Sequence, residues 1–252
     1  MAKIDKSQYT KLEWRKIKEQ RRVEKQRSRD QKTLVVNPNT SINITNANIR
    51  SSKNKIAFVL GNGMSRRNIP IDELKKHGTV YACNAVYRSD TPDFLVAVDV
   101  KMILEINKSG YQKNNQVWTN PNRAYDRMQG FNYFQPSKGW SSGPTALWLA
   151  SQHNYEKIYI LGFDYKGIDD GNKKGYKFNN IYADTRNYKA SHDSATFFGN
   201  WLRQTKSVVQ EHTEIKYIRV ILQDNYRPEE LNKFNNFTTM TVEDFIKFFA
   251  LP

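Results

Sequence analysis

The sequence is poor in cysteine and lacks long apolar runs. Its one cysteine, Cys83, excludes a disulfide framework and a cysteine-rich zinc site within a single chain. Because Cys83 ends an apolar run that starts at Val80, we expect a buried structural thiol rather than a nucleophile. No stretch approaches the ~20 apolar residues of a membrane span, and no apolar run follows the first charges, as a secretory signal would require. We therefore expect a protein of a reducing compartment, which is the cytoplasm of a cell or, for a viral protein, of its host.

Acidic residues are also few, with 25 Asp and Glu against 40 Lys and Arg, which gives a formal net charge of +15. Residues 1–32 hold twelve of the basic residues and five of the acidic ones, and they contain no Gly or Pro. Their apolar residues are too sparse for the stripe of a packed helix, and the stretch that follows is rich in Asn, Ser and Thr. We therefore expect residues 1–52 to be a basic arm and polar linker, helical or disordered, ahead of a folded domain over residues 53–252.

A basic arm attracts polyanions such as nucleic acid, anionic membrane surfaces or charged glycans. Charge alone does not choose among these partners, and a role in solubility is the plain alternative. We favour nucleic acid as the partner of the arm. The sequence leaves open whether the chain forms a homo-oligomer.

Beyond the linker, short apolar runs alternate with helical patterns. The predicted strands are 56–60, 79–83, 94–98, 117–119, 157–161 and 215–221, and the predicted helices are 71–76, 143–153, 195–211 and 242–249. Continuous apolar runs are typical of strands that are buried on both faces in a parallel sheet. The alternation predicts an α/β protein with a Rossmann-like, doubly wound, mostly parallel sheet. Residues 166–191 break the pattern, since they are rich in Gly, Asn, Lys and Tyr, and a loop of this length predicts a lid or a binding loop.

The first strand runs directly into Gly61-Asn62-Gly63-Met64-Ser65. A Gly after a buried strand allows a sharp turn, and a second Gly lets a ligand approach the backbone. Ligands of open α/β sheets bind outside the carboxyl ends of the strands. The third Gly of the dinucleotide fingerprint is missing, and Arg66-Arg67, which can face phosphate, follow instead. The alternative is an ordinary turn at the end of a strand.

Polar residues follow other predicted strands as well. Asn84 follows the second strand, where it can bind a base or a ribose, or can simply stabilise a turn. Asp99 follows the third strand and can reach the same site, whereas Asp93 precedes that strand and should lie at its opposite end. Gly162, Asp164 and Tyr165 follow the strand 157–161, and Asp164 can bind a ligand or fix the loop.

A predicted helix begins near Ser141, Ser142 and Gly143, and either serine can cap it. The free N–H groups at such a helix start also bind anions. His192 precedes another predicted helix, next to the irregular loop, and is a candidate general base. A structural role is the more common one for a single His. The four histidines have no ligand spacing, so we predict no metal site and no cofactor.

In this order, the motifs resemble the bacterial lipooligosaccharide sialyltransferases. The matching pieces are Gly61-Asn62-Gly63-x-Ser65, Cys83-Asn84, Ser142-Gly143, Gly162-x-Asp164-Tyr165 and His192. The Gly-Asn-Gly start also resembles related uncharacterised and pterin pyrophosphokinase-like proteins. The resemblance implies a metal-independent glycosyltransferase that uses a CMP-sugar as co-substrate.

The resemblance also implies roles for single residues. Asn62 would hold the donor near its phosphate, Asn84 would contact the nucleotide, and Ser142 and Gly143 would contact the donor. Asp164 would line the base and ribose pocket, and His192 would deprotonate the acceptor hydroxyl. Two lid tyrosines would assist the departing phosphate, and the candidates are Tyr176, Tyr182 and Tyr188.

Three functions therefore stay open from the sequence. The first is sugar transfer from a nucleotide sugar to a hydroxyl, on a glycan or on nucleic acid. The second is non-catalytic nucleic-acid binding or assembly, with the basic arm acting on a retained fold. The third is Mg²⁺-dependent pyrophosphoryl transfer to a pterin-like alcohol.

Overall fold

The computed structural model describes residues 55–169, 171 and 175–252. The predicted arm and linker over residues 1–52 lie outside these residues. The strands are β1 (Ile56–Leu60), β2 (Thr79–Cys83), β3 (Phe94–Val96), β4 (Val117–Thr119), β5 (Phe131–Tyr133), β6 (Lys157–Leu161), β7 (Ile168–Asp169), β8 (Tyr176–Lys177), β9 (Lys216–Ile221) and β10 (Phe237–Thr241). The α-helices are α1 (Ile71–His77), α2 (Val100–Ser109), α3 (Ser142–Ser151), α4 (Gly199–Glu211), α5 (Glu229–Asn232) and α6 (Val242–Phe249).

Eight strands form one parallel sheet in the order β10-β9-β6-β1-β2-β3-β4-β5. The chain moves outward from β1 to β5, then returns to the other side of β1 with β6 and continues to β9 and β10. The direction of winding therefore reverses between β1 and β6. This order confirms the predicted α/β, Rossmann-like, doubly wound sheet.

Helices cover both faces of the sheet, because the strand residues that point to either face are apolar. Phe58 and Leu60 of β1 pack in one buried cluster with residues of α1, α2 and α6. Ala57 and Val59 of the same strand pack in a second cluster with residues of α3 and α4. Since α3 is covered by the sheet and by α4, it is apolar on nearly every side.

The structure contains several regular elements that the sequence did not predict, which are α2, α5, β5, β7, β8 and β10. Helix α2 buries Met102, Ile103 and Ile106 on one face, and Gly110 ends it in the left-handed conformation at φ 74°. Strands β5 and β10 are the two outer strands of the sheet. Their Asn- and Thr-containing sequences lack the continuous apolar run of a central strand, because an outer strand is only partly buried.

Three predicted boundaries were wrong by two residues or more, and one of them is the end of the helix predicted over 143–153, which lies at Ser151. The helix predicted over 195–211 begins at Gly199, because Ala195 instead donates its backbone N–H to the carbonyl of Tyr176 at 2.8 Å. The strand predicted over 94–98 ends at Val96.

The predicted lid, residues 166–191, is not a structureless loop where the structure describes it. Strands β7 and β8 form a short antiparallel hairpin, and Lys177 pairs with Ser194. Further along, the backbone N–H of Ile181 donates to the carbonyl of Asn62 at 2.8 Å. The segment is therefore attached to the carboxyl end of β1.

Cys83 is buried, as expected, and burial raises the pKa of its thiol to about 12. In the part of the chain that the structure describes, no helix has both the length and the apolar character needed to cross a bilayer.

Candidate functional site

A cavity of about 490 Å³ opens at the carboxyl ends of β1, β2, β3 and β6. It lies where the winding of the sheet reverses, which is the position at which open α/β sheets bind ligands. Its volume falls in the range of roughly 300–1,000 Å³ that is usual for small-molecule sites. Its wall is completed by the start of α3, by one face of α4 and by the lid.

The structure brings most of the predicted ligand-binding residues to this cavity. The predicted residues that line it are Gly61, Asn62, Gly63, Asn84, Asp99, Ser142, Gly143, Gly162, Asp164 and Tyr165. Ser65 lies just beneath the wall, where it is buried and bonded to Asp164. Asp93 lies at the other end of β3, where its carboxylate accepts a hydrogen bond from Val80 N–H at 2.9 Å.

Two glycine loops, one after β1 and one after β6, pack directly against each other. Gly63 N–H donates to the Gly162 carbonyl at 2.9 Å. A Cβ added to Gly61 would lie 2.5 Å from the Gly162 carbonyl oxygen, and Gly162 itself adopts φ +67°. Both glycines are therefore required by the close approach of the two loops.

The backbone amides of the first loop are already used by the protein. Besides Gly63, Met64 N–H donates to Asn179 Oδ1 at 2.9 Å and Ser65 N–H donates to Asp164 Oδ2 at 3.1 Å. Three successive N–H groups are thus unavailable to a ligand. This loop shapes the floor of the cavity rather than forming an open cradle for phosphate.

The charged groups near the first loop are also held in place internally. Both carboxylate oxygens of Asp164 accept hydrogen bonds from Ser65. The buried Arg66 guanidinium donates to the Gly61 carbonyl and, at 3.3 Å, to Asn62 Oδ1. Arg66 therefore faces the loop, whereas Arg67 is exposed.

Asn84 is distinguished by its backbone conformation and by its side-chain oxygen. Its backbone lies in the left-handed region at φ 55°, which Asn adopts more readily than other residues with a side chain. Its side-chain oxygen Oδ1 is buried and finds no hydrogen-bond partner among the residues that the structure describes. A buried acceptor without a partner is costly, and Asn84 is part of the cavity wall.

The start of α3 lies at the cavity. Ser142 and Gly143 line it, and the first N–H groups of a helix have no partner within the helix. Ser141 is the N-cap residue of this helix and is one of the two serines expected there. Ser141 makes no side-chain cap, and Ser142 Oγ instead accepts a hydrogen bond from Val98 N–H at 3.1 Å.

The four residues predicted to be catalytic do not line the cavity. The side chain of His192 is 81% exposed, and its Nε2 lies 4.0 Å from Asp193 Oδ1. Tyr176 is partly exposed in the hairpin, under Lys166 Nζ at 4.3 Å. Tyr182 is buried and lies against Tyr188.

Tyr188 does not line the cavity, but it is hydrogen-bonded to Asn62, which does. Its phenol oxygen accepts hydrogen bonds from Asn62 Nδ2 at 3.2 Å and from Ala85 N–H at 3.4 Å. Burial raises the pKa of this phenol well above its usual value. The side chain thus positions Asn62 and the turn after β2.

Sequence reasoning missed four cavity residues of clear chemical interest, which are Trp140, Lys166, Trp201 and Gln204. Trp201 and Gln204 are three apart on α4 and therefore share a face. Gln204 Oε1 accepts a hydrogen bond from Ser141 N–H at 3.1 Å, so α4 fixes the residue that precedes α3. The i, i+3 spacing of an aromatic and an amide residue was the only sequence signal available.

Arg219 of β9 is a further residue that the sequence analysis missed. It is fully buried and donates to the backbone carbonyls of Phe163 at 2.8 Å, Asp164 at 3.3 Å and Tyr226 at 2.8 Å. Its guanidinium also lies 4.9 Å from the ring centre of Tyr165. The one charge within the otherwise apolar stretch YIRVI of β9 was the available signal.

No group of three or more His, Cys, Asp or Glu side chains within residues 55–169, 171 and 175–252 is placed to hold a metal ion. Comparison of the chain with models of protein families, with curated proteins and with solved structures gave no match. The functional argument therefore proceeds from the fold and the cavity.

Proposed function

We propose that the domain binds a nucleotide sugar in this cavity and transfers the sugar to an acceptor hydroxyl, as a metal-independent glycosyltransferase. The observation that carries the proposal is the combination, in one cavity at the reversal of the sheet, of a helix start and the unpaired oxygen of Asn84. The first fits a phosphate and the second fits a donor group of a base or ribose. The order of the motifs resembles that of the sialyltransferases, and this resemblance is the reason for proposing a CMP-sugar as the donor.

The phosphate of the donor belongs at the start of α3. Ser142 and Gly143 line the cavity there and supply N–H groups of the first turn, which have no partner within the helix, and the positive end of the helix dipole favours an anion. Lys166 adds a cation to the same cavity. The loop after β1 is the weaker site, because its amides from Gly63 to Ser65 are engaged.

The ring systems of the donor belong beside the two tryptophans. Trp140 and Trp201 are half-buried in the cavity wall. An indole offers a flat apolar face for a nucleobase or a pyranose, at little entropic cost. Asn84 Oδ1 then accepts from an N–H or O–H group of the nucleoside.

A thermal-shift screen with CMP, UDP, GDP and ADP tests the nucleotide site. A nucleotide at 100 times its Kd stabilises the folded state by about 2.7 kcal/mol, which raises the Tm by roughly 5–10 °C for a domain of this size. We expect one nucleotide to give such a shift. If none of the four changes the Tm, the proposed site is wrong.

The screen is repeated with Asn84→Gly, because Gly tolerates the left-handed backbone at this position and removes only the side chain. We expect this variant to fold and to lose most of the shift. Asn114→Ala, at an exposed position outside the cavity, is the control and should keep it. An unchanged shift in Asn84→Gly would remove Asn84 from the site.

Turnover separates sugar transfer from the other functions. We expect release of free nucleotide from one member of a panel of CMP-, UDP-, GDP- and ADP-sugars, at the same rate with and without EDTA. Activity that EDTA abolishes would favour Mg²⁺-dependent pyrophosphoryl transfer. Binding without turnover would favour a retained fold that serves as a scaffold.

A further inference from the structure

The cavity holds few groups that can accept a proton at neutral pH. Burial raises the pKa values of Cys83 and Tyr165 to about 12 each, so both stay protonated. The two oxygens of Asp164 are engaged by Ser65. None of the described residues that line the cavity is a histidine.

Asp99 is the other carboxylate in the wall, and it is exposed. It is the N-cap residue of α2, with φ −85° and ψ 129°. An Asp at an N-cap usually accepts a hydrogen bond from the first turn, which stabilises the helix. Asp99 makes no such side-chain bond, whereas Thr241 caps α6 by accepting from Asp244 N–H at 3.1 Å. Helix α2 therefore has no side-chain cap, and the Asp99 carboxylate stays available at the cavity wall.

The position of Asp99 is fixed relative to the proposed phosphate site. The preceding residue, Val98, donates its N–H to Ser142 Oγ at 3.1 Å, and Ser142 begins α3. The end of β3 is therefore attached to the helix start that would receive the phosphate. On its other side, β3 pairs with β2, which ends at Cys83, next to Asn84.

We propose that Asp99 is the general base of the transfer reaction, an inference that rests on the proposed glycosyltransferase function. The acceptor hydroxyl gives its proton to the Asp99 carboxylate, and a lone pair of the acceptor oxygen forms the bond to the anomeric carbon. The bond from that carbon to the donor phosphate oxygen breaks, and its electron pair leaves with the nucleotide at the start of α3. Asp99 then releases the proton to solvent, and water reacts in the same way as the acceptor.

The test is donor hydrolysis by the full chain, with the panel of four nucleotide sugars. We expect Asp99→Asn to lower kcat by about 10²–10⁴-fold, with KM and the nucleotide thermal shift close to those of the wild type. Added formate should restore part of the lost rate in Asp99→Ala, since a small carboxylate can occupy the space of the missing one. Asp224→Asn, an exposed position outside the cavity, is the matched control and should keep the wild-type kcat.

A wild-type kcat in Asp99→Asn, or a defect confined to KM, overturns the assignment. A fall of kcat in His192→Ala with none in Asp99→Asn gives the role to His192 instead. If a nucleotide raises the Tm but the wild type hydrolyses no donor, then transfer itself is wrong and the base is overturned with it. If no nucleotide binds either, the whole site fails, so the outcomes are distinguishable.

Discussion

Arg219 is a buried cation that has backbone carbonyls instead of a carboxylate as partners. It holds the carbonyls of Phe163 and Asp164, which follow β6 and form one wall of the cavity. Burial lowers the pKa of its guanidinium, so the surrounding oxygens must compensate for the lost hydration. The residue therefore couples the stability of the domain to the shape of the site.

We expect Arg219→Met to lower the free energy of unfolding by roughly 2–4 kcal/mol, because three carbonyls lose their partner together. Urea unfolding, followed by circular dichroism, measures the change. Arg123→Met, at an exposed position, is the control and should stay within about 0.5 kcal/mol of the wild type. Equal stability of the two variants would show that water replaces the guanidinium.

His153 makes the stability of the domain depend on pH. Its Nδ1 lies 2.5 Å from the Tyr81 hydroxyl, which is 3.2 Å from the Tyr155 hydroxyl. Burial lowers the pKa of His153 to about 4, whereas an unfolded chain has a His pKa of about 6.5. Between these values the unfolded chain binds a proton that the folded one excludes. The stability present above pH 6.5 is therefore lost as the pH falls towards 4.

For this group alone, we expect the free energy of unfolding to fall by about 2 kcal/mol between pH 7 and pH 5. Other groups titrate as well, so the measured quantity is the difference in slope between the wild type and His153→Asn. The variant should show the shallower dependence in urea titrations at several pH values. His192→Asn, which changes an exposed ring, should keep the wild-type slope. Parallel slopes for the wild type and His153→Asn would contradict a neutral buried His153.

At the scale of elements, an ion pair attaches the lid to the body of the domain. Arg88, in the 3₁₀ turn after β2, pairs with Glu105 of α2 at 2.7 Å. The same guanidinium donates to Thr185 Oγ1 and to the Arg186 carbonyl, each at 2.8 Å, while Asn187 donates to Glu105 at 2.6 Å. Since the lid carries Tyr188, which in turn holds Asn62, this cluster controls the cavity indirectly.

We expect Arg88→Met to release the lid without unfolding the domain. Hydrogen exchange of the amides of Ile181 and Tyr188, which are bonded in the native lid, should become at least about 10-fold faster, because local opening costs less free energy. The nucleotide thermal shift should fall in parallel. Lys108→Met, an exposed change on α2, should leave both unchanged. Unchanged exchange in Arg88→Met would mean that the other contacts of the lid, such as the bond from Ile181 N–H to the Asn62 carbonyl, hold it without the ion pair.

Sequence patterns predicted the centre of the sheet well, for a physical reason. Strands β1, β2 and β6 are buried on both faces, so each appears as a continuous apolar run. The outer strands β5 and β10 lack that signal. The short helix α2 was missed because only three of its ten residues are buried. The positions after the strands were found because the carboxyl ends of parallel strands converge.

The rest of the site depends on contacts between residues that are far apart in the chain. Asn62 and Tyr188 are 126 residues apart, and Ser141 and Gln204 are 63 apart. No local pattern encodes such pairs. The role of His192 came from its place in an ordered set of motifs, and its exposed side chain does not by itself support that role. For Asp99 the sequence predicted a place near the site but no role. The structure distinguishes it from an ordinary N-cap residue only because its side chain makes no capping bond.

At the scale of the whole molecule, charge is concentrated at one end of the chain. Residues 1–32 carry a formal +7, about half of the total of +15. The domain over residues 55–252 has its own buried clusters on both faces of the sheet where the structure describes it. These two facts predict separable functions, with polyanion binding in the arm and nucleotide binding in the domain.

We expect the full chain to bind DNA with an affinity that falls steeply with salt, because each phosphate contact releases condensed counterions. Engagement of about six of the twelve basic side chains would lower the affinity by roughly 10³-fold between 50 and 200 mM salt. Deleting residues 1–52 should abolish most of this binding and leave the nucleotide thermal shift intact, as measured by fluorescence anisotropy and thermal melting. The matched control replaces six arm lysines with glutamine and keeps the length of the chain. DNA affinity that persists after the deletion would place the polyanion surface on the domain itself, and affinity that ignores salt would exclude phosphate contacts as its source.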